Sequence, residues 1–203
     1  MSSISAIKAI QIINRAGAKV ITPAEISKLL NLENQNTIYK LIQRLNKYGL
    51  LDRISKGKYL PAGLNLSEFE MANLILTPSY VSFESALSFY GILPQFPYQI
   101  TSATPLKSTT INSVNKEFSY SHLSTKMYWG YTKTNNFLIA TPEKALIDMM
   151  YLASKKLRNI DFDEMDFTDI DKDILKKIAK KINFMPFKKY YDRYTNFISD
   201  IKN

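Results

Sequence analysis

Apolar residues recur at near-helical spacing from the start of the chain: Ile4, Ile7, Ile10 and Ile13 predict a first helix that stops near Gly17. Thr22-Pro23-Ala24-Glu25 has the form of a helix start: a hydroxyl N-cap, a proline at the first position and a glutamate that closes a capping box. Ile26, Leu29 and Leu30 form the expected buried stripe of this short second helix. A turn through 31–34 leads to a third helix over about 35–48, with Ile38, Leu41, Ile42 and Leu45 on one face and Gly49 as its stop. Leu50–Ile54 then reads as a strand, Ser55–Lys58 as a tight turn and Tyr59-Leu60 as the returning strand, closed by Pro61 and Gly63.

After residue 66 the pattern changes. Short helices are expected near 67–72 and 82–91. Between Gln99 and Ile139 the chain is rich in Thr, Tyr, Ile and Val, with turn signals between, and predicts strands around 99–103, 109–113, 118–121, 126–131 and 136–140. Thr141-Pro142-Glu143 starts another helix with Ala145, Leu146, Met149, Met150 and Leu152 as its apolar face. Two more helices are expected, about 171–183 and 187–201. The fold class is α+β: residues 1–66 form an N-terminal winged helix-turn-helix, and residues 67–203 a mixed helical and mostly antiparallel-sheet domain. The 13 tyrosines and Trp129 are expected chiefly in the core or on sheet faces.

Charge sharpens this division. The protein is net +9. Residues 1–64 hold ten basic and three acidic residues, net +7, whereas the other 139 hold 17 basic and 15 acidic, net +2. The excess therefore belongs to the N-terminal third, as in a nucleic-acid-binding head on a nearly neutral body. Asn36, Lys40, Gln43 and Lys47 advance by about 400°, 300° and 400°, so they share the face opposite the apolar stripe, with Thr37 and Arg44 flanking it. Amides and guanidinium groups can pair with base edges, while ammonium groups suit phosphate. The first residues of a recognition helix reach furthest into the groove, which selects Asn34, Gln35, Asn36, Thr37 and Lys40. On the hairpin, Arg53, Lys56 and Lys58 could clamp phosphate or enter the minor groove.

Two later blocks carry a family resemblance. Tyr80-Val81-Ser82-Phe83-Glu84-Ser85-Ala86-Leu87-Ser88-Phe89-Tyr90-Gly91-Ile92-Leu93-Pro94, followed by Ile139-Ala140-Thr141-Pro142-Glu143-Lys144-Ala145-Leu146-Ile147-Asp148, resembles the AbiE-type abortive-infection antitoxins. The resemblance runs over nearly the whole chain, with the winged helix first and the two blocks in order. It implies a non-enzymatic transcriptional autorepressor that is also the antitoxin of a type IV toxin–antitoxin pair. Its partners would be an inverted-repeat operator in double-stranded DNA, bound cooperatively by two copies, and a nucleotidyltransferase-like toxin opposed without a stable complex. The family's DNA contacts come from basic residues of the N-terminal domain, which Lys40, Arg44, Lys47 and the hairpin match by position only.

Other chemistry is poorly supplied. Without cysteine there is no disulfide scaffold, thiolate zinc site or cysteine nucleophile, and His122 is the only histidine. The acids Asp161, Asp163, Glu164, Asp166, Asp169, Asp171 and Asp173 do not fit a calcium loop: counted from Asp169, Ile174 and Lys180 stand where glycine and glutamate are needed. They are expected on loops and at a helix start. No cofactor motif is present. Glu143, Lys144 and Asp148 could form a polar cluster, although a helix start accounts for Thr141-Pro142-Glu143. No apolar run is long enough for a membrane span and 1–5 lacks signal-peptide character, so the expected location is the cytoplasm. Two alternatives remain: a metal-dependent nuclease targeted by the winged helix, and a winged-helix module that binds only protein.

Overall fold

The computed structural model describes residues 4–200, with side-chain surroundings to residue 195. The chain forms two compact units, Met1–Ser67 with Ser113–Asn115, and Glu68–Asn112 with Lys116–Asn203. In the first, α1 (Ala6–Arg15), α2 (Pro23–Leu30) and α3 (Gln35–Lys47) precede a hairpin of β1 (Leu51–Ser55) and β2 (Lys58–Pro61). The strands pair antiparallel, Leu51 opposite Pro61, and Ile21 forms an isolated bridge with Tyr59. The core joins Ala9 and Ile13 of α1, Ile21, Ile26 of α2, the four apolar residues of α3, Leu51 and Tyr59.

Two expected core residues lie outside it. Ile7 is 68% exposed. A strict three-residue spacing turns by about 300° per step, so Ile4 to Ile13 winds halfway round the helix and cannot keep to one face. Ala9 and Ile13, four apart, carry the contact instead. Leu29 is also exposed, since this eight-residue helix buries only the strip around Ile26 and, partly, Leu30.

The second unit contains a six-stranded sheet in the order β5-β6-β4-β3-β8-β7. Its strands are β3 (Tyr80–Val81), β4 (Ile100–Thr104), β5 (Thr109–Ser113), β6 (Lys116–His122), β7 (Tyr131–Thr134) and β8 (Phe137–Ala140). This sheet is mixed, which corrects the expectation of a mostly antiparallel one. β3 runs antiparallel to β4, and β7 to β8, but β4 is parallel to β6 and β3 to β8. Short connections suggest successive hairpins, yet β6 returns between β4 and β5 and so runs in the direction of β4. β3 is too short to show in the sequence. Within the expected strand at 126–131 there is instead a 3-10 turn at Thr125–Met127, with extended pairing starting only at Tyr131.

α4 (Glu68–Ile75) packs on β3, β4 and β8, and α5 (Phe83–Phe89) on β4. α6 (Pro142–Ser154) lies against α5, α7 (Lys172–Lys180) and α8 (Met185–Asp200). Every residue of α6 from Glu143 to Ala153 is consequently buried, polar ones included. Ile201, the expected end of the last helix, lies outside the described residues. Among the described residues, no helix is long and apolar enough to cross a membrane.

Candidate nucleic-acid interface

α3 starts where Asn34 caps it, its Oδ1 accepting from the Thr37 amide at 3.1 Å. At its other end Asn46 Nδ2 donates to the Leu51 carbonyl at 2.8 Å, fixing the approach to the hairpin. Between these anchors one side of the helix is buried and the other is open. Gln35, Asn36, Thr37, Lys40, Gln43 and Lys47 are all exposed, and no acid occurs from Asn34 to Gly49. The structure thus brings Asn36, Lys40, Gln43 and Lys47 onto one exposed face.

Three expected contacts are otherwise engaged. The Asn34 side chain is occupied by its cap. Arg44 is half-buried and its Nη2 donates to the Ile4 carbonyl at 2.6 Å, so it ties α3 to the segment before α1 rather than standing free beside Lys47. Lys58 is half-buried at the start of β2, where burial draws its ammonium group below the usual lysine range. Arg53 and Lys56 are exposed, the former with Nε directed at the Ser55 carbonyl at 3.4 Å.

Sequence reasoning missed one member of this surface. Tyr39 is 50% exposed and lies four residues before Gln43, on the flank of the polar face. An aromatic residue in an amphipathic helix is naturally assigned to the core. The signal against that reading is its position: Tyr39 lies about 100° from Ile38, just outside the stripe of Leu41, Ile42 and Leu45.

Three acids of the tract from Asp161 to Asp173 accept from backbone amides. Asp161 accepts from the Asp163 amide, Asp166 from Thr168, and Asp171 caps α7 by accepting from the amides of Asp173 and Ile174. Among the described residues, no group of three His, Asp or Glu side chains could hold a metal ion.

The same unit conceals a charged cluster that the sequence showed only as an i, i+4 pair in an otherwise apolar helix. Lys144 and Asp148 form an ion pair, both side chains wholly buried. Lys144 Nζ also donates to the Tyr80 hydroxyl at 2.9 Å, which donates to Asp148 Oδ2 at 2.8 Å. Ser82 Oγ donates to the same oxygen at 2.9 Å. Burial disfavours both charges, lowering the Lys144 pKa and raising that of Asp148, while their mutual attraction opposes each shift. Lys144 Nζ lies 5.4 Å from the Tyr80 ring and 5.3 Å from that of Trp129, which is only half-buried and not the core residue expected. The cluster links both family-like blocks: Tyr80 and Ser82 come from the first, Lys144 and Asp148 from the second. Its four side chains tie β3 and the start of α5 to α6.

No protein-family model and no curated protein matches this chain.

Proposed function

We propose that the first unit is a winged helix-turn-helix that binds double-stranded DNA, and that the protein is an autorepressor and the antitoxin of a nucleotidyltransferase-like toxin. The observation that carries the DNA-binding part is the exposed, acid-free face of α3. The order of helix, bridge at Ile21, two helices and hairpin supports it, since that order is the one expected of a winged helix. In this reading Asn36 and Gln43 meet base edges, Gln35 and Thr37 lie at the leading end, Lys40 and Lys47 neutralise phosphate, and Arg53 and Lys56 supply the wing contacts. The antitoxin part rests on the resemblance of the two later blocks, which the Lys144–Asp148 cluster joins in one unit.

Binding measured against salt tests the interface. With about four to six phosphate contacts per protomer, log affinity falls with log salt at a slope of about −4 to −5. Lys40→Ala and Lys47→Ala each weaken binding to operator and unrelated DNA alike and flatten that slope. Asn36→Ala narrows the gap between operator and unrelated DNA. Unchanged binding in all three variants removes α3 from the interface. Co-expression with the toxin from an adjacent reading frame tests the antitoxin part, and continued growth arrest refutes it.

A further inference from the structure

A cleft of about 620 Å³ opens in the second unit between β6 and the end of α6. Its volume falls within the range of about 300–1,000 Å³ typical of small-molecule sites. Ser119 and Ser121 alternate along β6 with the buried Phe118 and Tyr120, so both hydroxyls lie on the cleft side of the strand. Ser108 stands at the rim, and Lys155 and Arg158 come from the chain after α6.

The hydrogen-bonding character of these groups is one-sided. Ser121 Oγ accepts from Arg158 Nη2 at 3.1 Å, and Ser108 Oγ accepts from the His122 amide at 2.9 Å. Each hydroxyl thus has an acceptor site filled and its own proton left to donate. Arg158 is preorganised: its Nη1 pairs with both oxygens of Glu84, and its guanidinium carbon lies 4.4 Å from the Phe83 ring centroid. Lys155 Nζ rests over the Tyr151 ring at 4.2 Å. Glu84 balances Arg158, so Lys155 leaves the site net positive. No carboxylate lines the cleft. The surplus of donors calls for a ligand rich in acceptors and negatively charged, which describes a phosphate group. Leu152 and Leu157 add an apolar wall and Gln99 a carboxamide, features that a bare phosphate would leave unused.

We propose that this cleft binds a nucleoside phosphate, with the phosphate held by Ser119, Ser121, Lys155 and Arg158 and the base against the leucines and Gln99. All of these residues belong to the second unit.

The full-length protein is titrated with ATP, GTP, CTP and UTP at constant ionic strength, up to about 5 mM, with heat release and thermal stabilisation as readouts. At least one triphosphate should bind saturably and more tightly than inorganic phosphate. Ser119→Ala should weaken it about tenfold, the loss of one hydrogen bond to a charged group. Lys155→Glu, at an exposed position, should abolish it. Lys40→Ala with Lys47→Ala should leave it intact. Four outcomes overturn the proposal: no saturable binding, binding indifferent to Lys155→Glu, inorganic phosphate as tight as every triphosphate, or loss of binding in the Lys40/Lys47 variant.

Discussion

Lys144 and Asp148 hold opposite charges out of water, and each is tolerable only because the other is there. Removing one partner strands a buried charge, so Lys144→Ala or Asp148→Ala should cost about 3–5 kcal/mol in the denaturant unfolding of the second unit. The double replacement Lys144→Met with Asp148→Leu should recover only part of that loss, because it removes both buried charges but leaves the Tyr80 and Ser82 hydroxyls without their acceptor. Gly130 adds a contact to the same cluster. A Cβ there would stand 2.9 Å from Lys144 Cγ, at a backbone φ of +77°. Gly91 has a similar φ of +75° with nothing within 4 Å. Alanine at Gly91 should cost about 1–2 kcal/mol from backbone strain alone, and alanine at Gly130 measurably more, the difference being the clash.

Buried tyrosines add a pH dependence. Burial raises the hydroxyl pKa of Tyr80, Tyr120 and Tyr128 above 10.0, in Tyr128 to about 12. The folded state keeps these protons after the unfolded chain has lost them. Their contribution to stability is therefore whole below pH about 10 and lost as pH rises through the folded values, for Tyr128 between about 10 and 12. Lys144 and Lys58, both shifted down by burial, act the opposite way below 10.5. Tyrosinate absorbance should show fewer than all 13 tyrosines titrating in the folded protein, the rest appearing together as it unfolds.

At the scale of elements, local rules worked where the determining chemistry is local. Thr22-Pro23-Ala24-Glu25 could be read directly, and both hydrogen bonds of the capping box are present. Thr22→Ala should cost about 1 kcal/mol in the first unit, checked by thermal unfolding. The four apolar positions of α3 were likewise legible, and so was its exposed polar side. What failed depended on distant partners. Arg44 looks like a surface cation until the Ile4 carbonyl is placed beside it, a contact 40 residues away. Arg44→Ala should therefore lower the melting temperature of the first unit, whereas Lys47→Ala, exposed on the same helix, should not. The parallel pairing of β4 with β6 and of β3 with β8 is equally invisible to alternation, which reports which side of a strand is buried but not its neighbour's direction. The Lys144–Asp148 pair has helical spacing, yet its full burial follows from α5, α7 and α8 closing around α6.

For the whole molecule, each unit has its own core, and the excess charge belongs to the first. A 1–66 fragment should fold and bind a half-site weakly, without the cooperativity expected of the full chain on an inverted repeat. On the proposed antitoxin function, it should fail to rescue cells expressing the nucleotidyltransferase-like toxin. The 67–203 fragment should bind no operator and rescue at least partly, since it contains both family-like blocks. Gel shift and plating on the same pair of fragments check both statements, and rescue by 1–66 alone would place the antitoxin activity in repression.

The enclosure of Lys144 also has a chemical consequence. Acylating reagents reach lysines in water quickly, and the exposed amines of α7 should be modified within the first moments of contact. Lys144 has no path to the reagent while α6 remains covered, so its labelling must wait for the second unit to open. A peptide-resolved time course would then carry an internal clock. The delay at Lys144 would measure how often this unit opens inside an intact protein, and a ligand that stabilises the unit would be seen to slow it.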